Sequence, residues 1–202
     1  MARILPSPAR ASAWEAFTVT LVLVVPMTYA ALSGPPRGAN TWDSLAGTVD
    51  EKGVIAAIDY VAKVLLPFGY DTVTIDGGWY DHVNGTPSLD EFGLPYPSIE
   101  KFPSAADGRG LRSIVEHAHS LGVKLGAWTI RGVPRAAVAS GARINGSDFT
   151  VADAASYERN CSWDNMVWGT NAPSAAATAW YESVARLYVN TGLDFVKIDC
   201  MW

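Results

Sequence analysis

Short apolar runs alternate with stretches of helical periodicity along most of this chain. Loop residues Gly34 to Gly38 lead into Ala39 to Trp42, a short first-strand candidate. Asp50 stands where it would cap a helix whose apolar positions Val54, Ile58, Val61 and Leu65 recur at spacings of 4, 3 and 4, with Pro67 and Gly69 as its stop. Asp71 to Ile75 forms the second strand, with Val73 and Ile75 on one face and Thr72, Thr74 and Asp76 on the other. A long loop, 77–110, follows with Pro87, Pro95, Pro97 and Pro103. Loops of that length in compact domains are usually functional or disordered. Leu111, Ile114, Val115 and Ala118 give the apolar face of a second helix closed by Gly122, and Val123 to Thr129 is the third strand. Residues 130–170 are rich in Ala, Gly, Asn and Asp without a clear period, and read as an excursion over one rim. A third helix, from about Ser174 to Asn190, packs through Ala177, Trp180, Val184 and Leu187; the fourth strand, Leu193 to Ile198, follows it.

Strands alternating with helices predict βαβ units and a parallel sheet, so the expected class is α/β. No strand is followed by GxGxxG, so a dinucleotide site lacks its signature. What recurs is a polar or aromatic residue at each strand end: Trp42-Asp43, Asp76, Trp128 and Asp199. A barrel with its site at one rim needs that decoration. The fourth strand is the most informative. It should be apolar throughout, yet it carries Lys197 and Asp199, two apart and so on one face, with ammonium beside carboxylate. A buried charge pair is weak support for stability, so its place at a strand end points to chemistry.

Composition narrows the classes. With 49% hydrophobic and 17% charged residues the chain of 202 reads as globular, one domain in length but short of the ~250 residues of a complete (β/α)8 barrel. A net charge of −5 without a basic cluster argues against nucleic acid. Eight Trp and eight Tyr are a heavy load for this length; such large flat rings are normally core filler, and they also make apolar floors on which sugar rings can rest. Residues 1–30 read as a signal peptide: Arg3 and Arg10, then the apolar run from Phe17 to Val25, then Thr28-Tyr29-Ala30 for cleavage before Ala31. The mature chain, 31–202, is then expected to be secreted or in another secretory compartment, without a membrane anchor. The sequons at Asn84, Asn145 and Asn160 fit a glycoprotein. Cys161 and Cys200 lack zinc-ligand spacing, and their places in rim loops of a chain expected to be secreted favour a disulfide.

Four stretches in order carry a resemblance: PPRGANTWDS (35–44), GYDTVTIDGGWY (69–80), GVKLGAW (122–128) with FPS (102–104) upstream, and DFVKIDC (194–200). Together they resemble glycoside hydrolase family 27, the melibiase-like α-galactosidases, and within it a branch that includes β-L-arabinopyranosidases. The resemblance implies the N-terminal half of a (β/α)8 TIM barrel, about four βα units, in a retaining exo-glycosidase for terminal α-D-galactosyl residues. β-L-arabinopyranosidase or α-N-acetylgalactosaminidase activity, or a non-catalytic sugar-binding remnant, are its alternatives. It makes Asp199 the nucleophile and Lys197, Asp76, Trp42 and Trp128 the substrate-binding residues, with a galactoside or related glycan as partner and neither cofactor nor metal. It places the acid/base aspartate on a strand beyond Trp202. The family usually has Trp where Ala39 stands, a second Asp where Gly77 stands, and its cysteine two residues after the nucleophile rather than adjacent like Cys200. Among other polar candidates, His117 and His119 read as structural histidines on a helix flank, His82 stays open as an acid, base or ligand, and Trp79-Tyr80 read equally as pocket wall or loop packing.

Overall fold

A computed structural model describes residues 35–201; the expected signal peptide and Trp202 lie outside the described residues. Four strands, β1 (Gly38–Asn40), β2 (Thr72–Ile75), β3 (Lys124–Ile130) and β4 (Phe195–Asp199), pair in parallel in that order. Their register sets Asn40 opposite Thr74, Ile75 opposite Ala127, and Trp128 opposite Lys197. β1 begins at a glycine for a steric reason: a Cβ on Gly38 would lie 1.6 Å from the Thr72 carbonyl oxygen. One face of the sheet is apolar, with Val73, Ile75, Leu125 and Ala127 fully buried against helix residues Val54, Ile58, Ile114 and Ala118. The alternate residues, including Asn40, Thr74, Gly126, Trp128, Lys197 and Asp199, share the other face because side chains alternate along a strand.

Helix α1 (Glu51–Tyr60) starts as its sequence predicts, the Asp50 carboxylate accepting the Gly53 amide at 2.7 Å. Its end differs. The helix widens into a π turn, Val61–Leu65, and tightens into a 3-10 turn, Leu66–Phe68. Pro67 falls in the first turn of that last piece, where a missing N–H leaves nothing unsatisfied, and Gly69 ends it at φ 79°. Helix α2 (Arg112–Ser120) buries Ile114, Val115 and Ala118. Helix α3 (Ala175–Thr191) is capped by the Ser174 hydroxyl on the Ala177 amide and ends at Gly192 in the left-handed region.

Two segments differ from their sequence reading. β1 stops at Asn40 rather than reaching Trp42. The Asn40 side-chain oxygen takes the Trp42 amide at 2.8 Å, and Trp42–Leu45 turns helical. The stretch 130–170 is not featureless either. Val133–Pro134, Ala155–Ser156 and Val167–Thr170 form a small antiparallel sheet, accompanied by short helices Arg135–Ser140 and Val151–Ala154. This excursion has its own core of Leu94, Val133, Ile144, Val151 and Trp180, and the Trp180 indole donates to the Gly132 carbonyl at 2.9 Å. The 77–110 loop is tied down by polar contacts: the buried Trp79 indole donates to the Trp128 carbonyl at 2.9 Å, and the Lys101 ammonium reaches the carbonyls of Gly47 and Gly78 at 3.0 and 2.8 Å. No helix among the described residues is long and apolar enough to cross a membrane.

Candidate active site

The polar ends of the four strands meet at one rim. Asp76, the residue after β2, is 3% exposed, and three donors converge on its carboxylate. The Asn40 amide at 2.6 Å and the Lys197 ammonium at 2.7 Å share Oδ2, while the Gly77 N–H takes Oδ1 at 2.8 Å. Its own amide donates to the Thr41 hydroxyl at 2.9 Å, which locks the strand end to the chain leaving β1. Burial pushes the Asp76 carboxyl upward, but the hydrogen bonds from Lys197, Gly77 and Asn40, with the lysine charge, outweigh it and hold the group below the usual carboxylate range. A carboxylate offers about four acceptor positions, so one on Oδ1 stays open.

Asp199, at the end of β4, is fixed by two donors. The Trp128 indole N–H meets Oδ2 at 3.1 Å, and the Cys200 amide meets Oδ1 at 2.8 Å. Cys200 itself adopts φ 57°, in the left-handed region that a non-glycine residue rarely enters. Its sulfur is bonded to Cys161, so the excursion is joined covalently to the strand end that carries Asp199. Trp128 is itself backed by Tyr80, stacked at 6.0 Å between ring centroids, and Trp79 meets Tyr80 edge-on at 5.0 Å. Trp79 is therefore packing, and Tyr80 supports the Trp128 ring from behind.

Asp76, Lys197 and Asp199 line one cavity of about 310 Å³ together with Trp42, Trp128, Gly77, Asp81, Trp163 and Asp164. All five residues singled out at the strand ends are thus brought together. One detail of the sequence reading is corrected: the Lys197 ammonium bonds to Asp76 on the neighbouring part of the rim, not to Asp199 on its own strand. The pair is also less buried than a core strand would make it, since the Lys197 side chain is 41% exposed. Trp42 reaches the cavity from its helical turn, half exposed, its ring near Gly77. The histidines stand elsewhere: His117 bonds Asp59 at 2.8 Å, His119 bonds Asp194 at 2.9 Å, and His82 lies 3.8 Å from Glu100. No group of three or more His, Cys, Asp or Glu suited to a metal occurs among the described residues.

Asn40, Asp81, Trp163 and Asp164 are residues at the site that the sequence reading missed. Asn40 bridges Asp76 to the Trp42 amide, and its signal was available: a polar residue ending the first strand, two before an aromatic. Asp81 had no such signal, being one carboxylate in a long irregular loop. Burial, with a contribution from the Asp164 charge, raises its carboxyl above the ordinary range despite the opposing charge of Lys101.

No protein-family model matches the sequence. Among curated proteins, the α-galactosidase of Coffea arabica is 30% identical over 99 residues, which is 48% of this chain and 24% of that protein. α-Galactosidase A of Cellvibrio japonicus is 28% identical over 110 residues, 54% of this chain and 24% of that protein. Among solved structures, an α-N-acetylgalactosaminidase assigned from Bacillus halodurans superposes with TM-score 0.78 at 32% identity, over 82% of this chain and 40% of that one. A family 27 β-L-arabinopyranosidase from Geobacillus stearothermophilus, in complex with arabinose, gives TM-score 0.78 at 34% identity, over 81% of this chain and 40% of that one. The chain therefore spans about a quarter of the length of these curated relatives and two fifths of these structures. In sequence and in fold it is glycoside hydrolase family 27-like.

Proposed function

We propose that this chain carries the nucleophile-bearing part of a retaining exo-glycosidase that removes terminal α-D-galactosyl residues, and that its sheet forms four consecutive strands of a (β/α)8 barrel. The observation that carries the reading is the convergence of Asp76, Lys197 and Asp199 with two tryptophans in one cavity at the C-terminal ends of parallel strands. In this mechanism Asp199 attacks the anomeric carbon while the glycosidic bond breaks, giving a covalent glycosyl-enzyme that water then hydrolyses. The Trp128 indole and the Cys200 amide hold the carboxylate in position, leaving lone pairs on both oxygens for the attack. Asp76 and Lys197 hold ring hydroxyls, the carboxylate accepting and the ammonium donating, and Trp42 and Trp128 cover the apolar ring faces. The leaving oxygen takes its proton from an aspartate that the resemblance assigns to a later strand.

A second reading, β-L-arabinopyranosidase, is favoured by the likeness in fold and sequence to the Geobacillus enzyme. The test is turnover by the full-length gene product of aryl α-D-galactoside, aryl β-L-arabinopyranoside and aryl N-acetyl-α-D-galactosaminide. Turnover of the first above the others is expected. Preference for the arabinoside selects the second reading, and turnover of none, with sugar binding retained, selects a sugar-binding remnant.

We further propose that the protein is secreted after cleavage before Ala31. Exposure of the three sequon asparagines and pairing of Cys161 with Cys200 support this. N-terminal sequencing of protein recovered from the medium checks it, and a product still starting at Met1 would overturn it.

A further inference from the structure

Six tryptophans lie among the described residues, and four of them have structural work. Trp79, Trp128 and Trp180 are buried with bonded indoles, and Trp168 sits under the Arg135 guanidinium at 3.8 Å. Only Trp42 and Trp163 are exposed, at 50% and 52%, and both line the cavity that holds Asp76 and Asp199. A lone exposed aromatic needs no explanation. Two at the mouth of one carboxylate pocket, with every other described tryptophan buried or covered, do.

Trp42 lies over Gly77, close to the Asp76 end, which is the place of the sugar to be cleaved. Trp163 belongs to the excursion and is pinned on both sides. Two residues before it, Cys161 is bonded to Cys200 beside Asp199, and directly after it Asp164 closes a turn by accepting the Met166 amide at 2.6 Å. A large flat side chain held this way gives contact area at little cost in conformational freedom. We propose that Trp163 is the platform on which the leaving group of the substrate stacks, and that this leaving group is an uncharged ring, a second sugar or an aryl group. The proposal rests on the glycosidase reading of the pocket and extends it from the sugar that is transferred to the group that departs. The neighbouring carboxylates Asp81 and Asp164 suit a neutral ring better than an anionic one.

The test uses full-length protein carrying Asp199→Asn, so that ligands bind without turnover, and titration calorimetry with methyl and phenyl α-D-galactosides and the matching β-L-arabinopyranosides. The phenyl glycoside is expected to bind roughly three- to tenfold more tightly than the methyl one, the size of a single aromatic contact. Adding Trp163→Ala should bring the phenyl Kd to the methyl value while leaving the methyl Kd unchanged, and Trp163→Phe should keep most of the advantage. An unchanged methyl Kd also shows that the variant is folded. A phenyl advantage that survives Trp163→Ala, its absence before that change, or equal weakening of both ligands would overturn the platform and leave the sugar reading standing. Binding of neither sugar in any form would overturn both.

Discussion

At the scale of single residues, Asp76 is held by three donors and Asp199 by two, and the two carboxylates should answer mutation differently. Asp199→Asn keeps the shape and removes the attacking charge, so turnover by the full-length protein should vanish with little change in thermal midpoint; activity close to the parent's would remove Asp199 from the role. Asp76→Ala leaves Lys197 and Asn40 without their acceptor, and bonds to charged groups are worth about 1.5–3 kcal/mol each, so a fall in kcat/KM of roughly 10²-fold or more is expected. If only thermal stability changed, the residue would be structural. The acid limb of stability follows from the same contacts. Because the folded-state value of Asp76 lies below its ordinary 3.8, its contribution is present above that value and lost as pH falls through the lower one. Asp81 has the opposite sign: raised mainly by burial, it weakens the fold once pH rises through its elevated value. Urea unfolding from pH 3 to 7 should therefore show Asp76→Asn destabilising at neutral pH and converging on the parent in acid. Asp81→Asn should stabilise at neutral pH and also converge in acid. Reversal of either trend would contradict the assigned causes.

Elements were legible wherever a period ran long enough to be seen. The spacing that begins in α1 buries Val54, Ile58 and Val61, Ala177 and Trp180 of α3 are buried as read, and the alternation in β2 puts Val73 and Ile75 in the core, because each repeats a face over several residues. The excursion escaped because its strands are only two to four residues long and pair across gaps of up to 34 residues, as Val133 does with Trp168. No local pattern records such a pairing. The Lys197–Asp76 bond escaped for a similar reason: the spacing within β4 fixes which face Lys197 shares, but not that its acceptor comes from the end of β2, two strands away. Between β3 and β4 the fit is steric, since a Cβ on Gly126 would lie 2.1 Å from the Phe195 ring, which fills the space the glycine leaves. Neighbouring glycines at the site rim also differ. Gly78 has φ 98°, and a Cβ there would lie 2.8 Å from the Gly47 carbonyl oxygen, whereas a Cβ on Gly77 would meet only ordinary contact with Trp42 and Trp128. Gly78→Ala is expected to cost about 2 kcal/mol or more in chemical denaturation, combining backbone strain of about 1–3 kcal/mol with the clash. Gly77→Ala should stay within about 0.5 kcal/mol, as for an unstrained site. Equal effects would refute the geometry.

For the whole molecule, the decisive feature is that β1 and β4 each have a parallel neighbour on one side only among the described residues. Unpaired strand edges template association, and closing a barrel abolishes them. Residues 31–202 expressed alone should therefore self-associate on sizing with light scattering. They should also show no turnover of an aryl α-galactoside, since a positioned acid contributes about 10²–10⁴-fold. A monodisperse, active monomer would place the acid within these residues and displace the proposed site. The Cys161–Cys200 bond adds a constraint of another kind. It closes a covalent ring over a separation of 39 residues, a cross-link worth about 4 kcal/mol by chain-entropy reckoning. That ring contains α3, β4 and the turn bearing Trp163, so the Trp163 side of the pocket mouth and the Asp199 end of its floor belong to one closed loop. In hydrogen-exchange terms they should open together or not at all: one breathing unit, whose amides exchange in step while the bond is intact and at separate rates once a reductant has cut the ring.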